Sequence, residues 1–114
     1  MLRDFFLGFI RIHILYHAET APVYGAALIA ELKRHGYELS PGTLYPLLHR
    51  LETSGYLQRE DRLVDGRVRK YYSITDSGRR ALETARDRIR ELVAEVVYDK
   101  TSAPALARDT EDRP

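Results

Sequence analysis

One hairpin signal interrupts a chain whose remaining apolar patterns are helical. The dipeptide Asp65-Gly66 lies between two short segments, residues 57–63 and 68–74, and the second contains valine, tyrosine and isoleucine. Asp-Gly favours a two-residue turn because both central positions of that turn require positive φ, and the flanking residue types favour a pleated surface. The sequence therefore predicts one β-hairpin inside an otherwise helical fold.

Two helices are predicted at the start of the chain. Residues 2–17 have apolar side chains at helical spacing around much of the helix circumference, so this helix needs cover on several sides. Ala21-Pro22-Val23 then breaks the chain, and residues 24–35 form a second helical pattern. Gly36 suits the left-handed position just past a helix end, so we expect the second helix to stop there.

A third helix is predicted to begin at Ser40, which is a good N-cap residue, and to end at Gly55. Pro41 suits its first helical position, and leucines follow at helical spacing. Pro46 lies past the first turn, where a proline removes a backbone hydrogen bond and crowds the carbonyl of Gly42. Either Pro46 belongs to a functional surface, where local rules are most often broken, or the regular helix begins later than Ser40 indicates.

A last helix is predicted from Thr75-Asp76-Ser77-Gly78, which would cap it, to about Lys100. Five of its apolar residues follow the 3-4-3-4 spacing of a coiled-coil seam: Leu82, Ala85, Ile89, Leu92 and Val96. Because so short a seam is marginal alone, we expect a homodimer in which Phe5, Phe6 and Phe9 of the first helix join the interface. These phenylalanines could instead lie in the core or line an effector pocket between subunits.

The order of three helices, a hairpin and a long helix predicts an α+β, mostly helical fold, a winged helix-turn-helix with a C-terminal dimerisation helix. Residues 1–74 would form the DNA-binding domain, including the N-terminal helix, and residues 75–100 the dimerisation helix. Residues 101–114 contain prolines among mixed charges and are predicted to be a disordered tail. The second and third helices would form the DNA-reading unit.

Several runs of residues carry a family resemblance: Val23-Tyr24-Gly25, the run from Ser40 to Glu52, Gly55-Tyr56-Leu57, the wing from Gly66 to Tyr72, and the run from Ile74 to Gly78. Together they resemble the PadR family of transcriptional regulators, and the single C-terminal helix is similar to the short form of that family. The resemblance implies a dimeric repressor that binds a palindromic operator and releases it when a small molecule or other signal arrives.

The third helix is expected to lie in the major groove of double-stranded DNA with its first turns toward the base edges. Its candidate DNA contacts are Ser40, Thr43, Tyr45, Pro46 and Arg50. Ser40 and Thr43 could instead serve only to cap the helix, and Arg50 could instead pair with an acid such as Glu52.

The wing is the clearest basic feature, because Arg67, Arg69 and Lys70 cluster beside its turn. A basic hairpin can contact phosphates or insert an arginine into the minor groove. The alternative is an ordinary solvated edge, where basic residues prevent aggregation. The family resemblance adds Tyr24 as a further phosphate contact.

Composition and motifs exclude several other functions. The absence of cysteine rules out disulfides, thiolate metal sites and a cysteine nucleophile, and it fits a reducing compartment. The sequence has neither a signal-peptide pattern nor a membrane-length apolar run, so we expect a cytoplasmic protein with no membrane partner. Without a phosphate loop, a nucleophile elbow or paired carboxylates in a cleft, we expect neither an enzyme nor a cofactor.

Net charge and two histidines leave alternative functions open. A formal net charge of +1 is low for a nucleic-acid binder, so a winged-helix module that binds protein is the rival function. His13 and His17 are four residues apart on one helix face, a spacing that can hold a metal, so a ligand or metal sensor is a further alternative. Two histidines alone are too few ligands, and no metal is expected.

Overall fold

The computed structural model describes residues 2–98. In chain order its elements are α1 (Leu2–Thr20), β1 (Val23–Tyr24), α2 (Gly25–Arg34), α3 (Pro41–Thr53), β2 (Leu57–Val64), β3 (Arg67–Ile74), α4 (Asp76–Val93) and a π-helical turn (Ala94–Tyr98). This order confirms the predicted winged helix-turn-helix. The predicted tail and the last residues of the predicted final helix lie outside the described residues.

Two compact units divide the chain, one ending at Glu83 and the other beginning at Thr84. The first contains the three leading helices, the sheet and the start of α4. The predicted functional boundary after residue 74 stays a prediction. Within residues 2–98, no helix combines the length and the apolar character needed to cross a membrane.

The short strand β1 corrects the prediction that a helix begins at Tyr24. Val23 and Tyr24 pair with Tyr72 and Tyr71 of β3, which gives an antiparallel sheet in the order β1-β3-β2. Tyr24 has extended backbone angles (φ −130°, ψ 159°) and directly precedes α2. The physical reason is that β-branched and aromatic residues favour extended backbone and that β3 offers them an unpaired edge.

The hairpin forms as predicted, with strands one residue longer on either side of the turn. Pairing of β2 with β3 is continuous up to Val64 opposite Arg67. Asp65 and Gly66 have φ values of 51° and 78°, the pair of positive angles that a type I′ turn requires. This turn matches the right-handed twist of the strands and sets their register.

The core of the first unit lies between the helices and the sheet. Its buried apolar residues are Ile10, Ile14, Leu15, Ala18, Leu28, Leu32, Leu44, Leu47, Leu48, Leu51, Leu57, Tyr72, Ile74 and Leu82. Burying each leucine contributes about 1.5–3 kcal/mol, so the leucine stripe holds one face of α3 inward and leaves the other in solvent. Tyr72 is buried and Tyr71 is not, as strand alternation predicts.

The first helix extends to Thr20, three residues further than predicted. Phe5, Phe6 and Phe9 on it are 52%, 49% and 50% exposed. They are therefore not core residues, and the interpretations as a subunit contact or a pocket lining remain.

The predicted dimer seam is altered at both ends. Leu82 is only 1% exposed and belongs to the core of its own unit, so it offers a partner almost no surface. Val96 lies in the π-helical turn, whose wider spacing departs from the 3-4 repeat. Between them, Ala85 is partly exposed, and Ile89 and Leu92 are exposed.

Candidate nucleic-acid interface

The N-terminus of α3 is capped as the sequence predicts. The Ser40 side-chain Oγ accepts a hydrogen bond from the backbone N–H of Thr43 at 3.3 Å. The Ser40 carbonyl accepts two more, from Thr43 and Leu44 at 3.0 Å each. Ser40 therefore has a structural role, whereas the Thr43 hydroxyl makes only a long 3.4 Å contact with Ser40 Oγ. This helix end attracts anions such as phosphate.

Pro46 lies inside α3, which begins at Pro41 directly after the N-cap Ser40, so the interpretation that the regular helix begins later than Ser40 indicates is wrong. Because a proline has no N–H, the carbonyl of Gly42 lacks its usual donor four residues later. Gly42 and Pro46 are both exposed. The first turn of α3 therefore contains a backbone acceptor, the Gly42 carbonyl, without its usual helical donor, in an exposed part of the helix.

The exposed face of α3 carries Tyr45, Pro46, His49 and Arg50. The Tyr45 hydroxyl end packs so closely on Gly25, at the start of α2, that a Cβ there would overlap it. Gly25 thus positions the Tyr45 ring, a role that sequence reasoning missed. The available signal was a glycine in the first turn of a helix, where it is intrinsically unfavourable.

A groove of about 470 Å³ brings the two tyrosines and the wing cations together. Its lining includes Tyr24, Tyr45, Arg67, Arg69 and Lys70. These residues come from the sheet edge, from α3 and from the wing. They are distant in the sequence and lie together only in the folded chain.

The remaining predicted contacts on α3 form a second group. Thr43, Pro46 and Arg50 line a depression of about 230 Å³ together with Arg3 of α1. Arg50 forms no ion pair within residues 2–98, so the alternative of pairing with Glu52 does not occur there. Ser40 lines neither the groove nor this depression.

Two arginines stack on two tyrosines across the sheet. The Arg69 guanidinium lies 4.1 Å from the centre of the Tyr24 ring, and Arg62 lies 4.3 Å from that of Tyr71. The two rings contact each other with centres 5.4 Å apart. Arg62 and Arg69 are cross-strand partners, and stacking on ring faces offsets the repulsion between like charges placed opposite each other.

Arg69 also donates a long hydrogen bond (3.4 Å) to the Tyr71 hydroxyl. That hydrogen bond raises the pKa of Arg69 above its usual value. Arg69 is thus a cation held in place at the sheet rather than a free surface charge. Sequence reasoning missed the roles of Tyr71 and Arg62 in holding it, although register in the predicted hairpin could have indicated them.

Two of the three acidic residues of the hairpin are neutralised locally, whereas Asp65 in the turn lines the groove without an ion pair within residues 2–98. Arg59 pairs with Asp61 at 3.2 Å, and Arg62 pairs with Glu60 at 3.1 Å, all on β2. Arg67 and Lys70 on β3 have no ion-pair partner within residues 2–98. The low net charge therefore conceals a local excess of positive charge beside the groove.

The chain is similar to known transcriptional regulators. A model described as the transcriptional regulator PadR-like family matches residues 14–84. The transcriptional regulator Rv3488 of Mycobacterium tuberculosis is 52% identical over 96 residues, covering 84% of this chain and 90% of that protein.

Solved structures give the same result. A PadR family transcriptional regulator from Eggerthella lenta is 32% identical, with a TM-score of 0.74 and coverage of 88% of this chain and 91% of that one. A PadR-like transcriptional regulator from Bacillus cereus is 31% identical, with a TM-score of 0.66 and coverage of 82% and 95%. These relatives are regulators of transcription and not enzymes.

Proposed function

Because the chain belongs to the PadR-like family of transcriptional regulators, we propose that it represses transcription by occupying a palindromic operator as a homodimer. The groove that joins Tyr24 and Tyr45 with the wing cations is the observation that carries this proposal. It combines unpaired cations with hydroxyl groups beside the exposed face of α3, and phosphate recognition uses these groups. The operator would be released when an effector binds.

Each part of the surface has a distinct role in the proposal. α3 enters the major groove, where the Thr43 hydroxyl and the Gly42 carbonyl face base edges. Arg67 and Lys70 contact phosphates beside the site. Arg69, held on Tyr24, orients the wing against the duplex.

Exposed apolar surface supports the homodimer. In the first unit, Phe5, Phe6 and Phe9 are each about half exposed. In the second unit, Ile89 and Leu92 are 40% and 57% exposed. Apolar surface of this kind is typical of protein interfaces, and a second copy of the chain would cover it. Two-fold symmetry would then set the reading helices on half-sites about one DNA turn apart.

A cavity of about 480 Å³ in the first unit supports the effector step. Phe6, Ile10 and Leu39 contribute apolar lining, and Thr43 also borders it. A small molecule of ordinary size fits such a volume. A ligand bound there would touch the first turn of α3 directly. In this proposal the protein binds both its operator and its effector in the cytoplasm.

Titration of the protein into labelled DNA from upstream of its own coding region tests operator binding. We expect tight binding that weakens steeply between two salt concentrations, because phosphate contacts release counterions. Unrelated DNA of equal length is the control. Equal affinity for both, followed by failure to enrich any site from random sequence, would contradict the proposal and favour the protein-interaction module.

The double variant Ile89→Asp plus Leu92→Asp tests the homodimer. We expect its mass in solution to fall to that of one chain, because charged groups cannot be buried in an apolar interface. Arg88→Asp, an exposed polar change on the same helix, is the control and should leave the mass unchanged. A double variant that keeps the mass of a dimer would contradict this seam.

A further inference from the structure

Three histidines from two helices meet at one place in the first unit. His13 and His17 lie on α1, and His35 directly follows α2. One ring nitrogen from each lies within 4.8 Å of the others. The ring centres of His13 and His35 are 5.0 Å apart, and that of His17 lies 6.2 Å and 6.3 Å from them. The sequence places only two of these residues together.

A carboxylate borders the same cluster. Glu31 Oε2 lies 3.1 Å from His35 Nε2 and 3.9 Å from His17 Nε2. Its other oxygen, Oε1, accepts a hydrogen bond from Arg34 at 2.8 Å. Arg34 thereby orients the carboxylate so that Oε2 faces the imidazoles.

His17 Nε2 is buried and has no hydrogen-bond partner within the described residues. Buried polar atoms are rarely left unsatisfied, so such an atom points to a missing partner. A neutral imidazole has the free lone pair that a metal ion needs.

We propose that His13, His17 and His35 bind a divalent transition-metal ion of the zinc type, with Glu31 as the fourth ligand. In a tetrahedral zinc site, ligand nitrogens lie about 3.3 Å apart, so small side-chain rotations close the present separations. Three imidazoles select zinc, nickel or copper over magnesium and calcium, which prefer oxygen ligands. The ion would join α1 to the end of α2, the first helix of the reading unit.

Calorimetric titration of the full chain with zinc chloride tests the site. We expect one ion per chain and a rise in Tm on adding zinc, because the ion binds only the folded state. His13→Gln plus His35→Gln should weaken zinc binding about 100-fold or more and abolish the rise in Tm. His49→Gln, a change at an exposed histidine on α3, is the matched control and should bind zinc like the original chain.

The single variant His35→Gln tests the site even if the double variant misfolds. His35 is exposed and lies at a helix end, so its replacement should leave the fold intact. It should weaken zinc binding about 10-fold or more while the far-ultraviolet circular dichroism stays unchanged. Equal zinc affinity in the original chain and the double variant, or an equal loss in His49→Gln, would overturn the site. No DNA is present in these measurements, so their outcome is independent of the proposed repressor function.

Discussion

The two ends of the β2–β3 hairpin differ in what surrounds them. At the base, Leu57, Tyr72 and Ile74 are buried in the core. At the tip, Leu63 and Val68 are 75% and 66% exposed. One hairpin thus has a half that belongs to the folding core and a half whose side chains are free to meet a partner.

Charge separates the two strands of the hairpin in a similar way. On β2, Arg59 and Arg62 are paired with acids of their own strand. On β3, Arg67 and Lys70 have no such partner within residues 2–98. Under the proposed function, stability depends on the base of the hairpin and DNA binding on its tip, so we expect that each can be changed without the other.

Tyr72→Ala should have the largest effect, because it empties a buried site at the base. We expect the free energy of unfolding to fall by about 3–5 kcal/mol, from lost burial and the cavity left behind. Urea denaturation followed by circular dichroism measures this. Tyr71→Ala, on the opposite face of the same strand, should lower the free energy of unfolding clearly less. Equal losses in the two variants would show that the buried and the exposed face of β3 contribute equally to stability.

Arg67→Glu plus Lys70→Glu should produce the largest change at the tip. We expect operator affinity to fall about 100-fold or more, since two phosphate contacts become repulsive, while the midpoint of urea denaturation stays the same. Gel-shift titration measures the affinity. Arg79→Glu plus Arg80→Glu on α4 changes the net charge equally and is the control. If both variants lose equal affinity, net charge and not the tip determines binding.

The hairpin itself could be predicted from sequence, because its signals are local. Strand alternation separates Tyr72 from Tyr71, and Asp65-Gly66 specifies the turn. The capped start of α3 at Ser40 was predictable for the same reason. Each of these signals depends on residues close together in the chain.

What the sequence could not predict depends on contacts between distant residues. Nothing near Val23 and Tyr24 indicates that they pair with β3, and so a helix was the reasonable prediction for Tyr24. The contact of Gly25 with the Tyr45 ring, and the approach of His35 to the histidines of α1, exist only after helices pack. The exposure of the tip likewise follows from where the core ends, which local patterns do not specify.

Thr75→Val should have a moderate effect at the base. The Thr75 hydroxyl donates to the Gly55 carbonyl at 2.6 Å and accepts from the backbone N–H of Gly78 at 3.0 Å. It thereby caps α4 and ties the end of β3 to the turn after α3. We expect a loss of about 1–2 kcal/mol in the free energy of unfolding, again by urea denaturation.

Thr53→Val is the matched control for this variant, because the Thr53 hydroxyl makes a single bond to the Arg50 carbonyl within its own helix. We expect Thr53→Val to lower the free energy of unfolding by less than about 1 kcal/mol. If the two variants lose the same amount, Thr75 is not a special anchor, and the base is held by apolar packing alone.

Gly66→Ala should have the smallest effect, and it tests whether the tip contributes to folding at all. Gly66 has φ of 78°, which an alanine adopts at a penalty of about 1 kcal/mol, and its Cβ would meet open space. Gly42→Ala is the control, because position 42 is helical and has room for a Cβ. We expect this change to raise the free energy of unfolding by up to about 1 kcal/mol. A loss for Gly66 but not for Gly42 would show that the tip keeps its type I′ turn in the free protein, with the cations already placed for DNA. If Gly66→Ala leaves the free energy of unfolding unchanged, the type I′ turn does not contribute to the stability of the free protein. The base of the hairpin would then be folded before DNA binding, and the tip would fold only when it binds DNA.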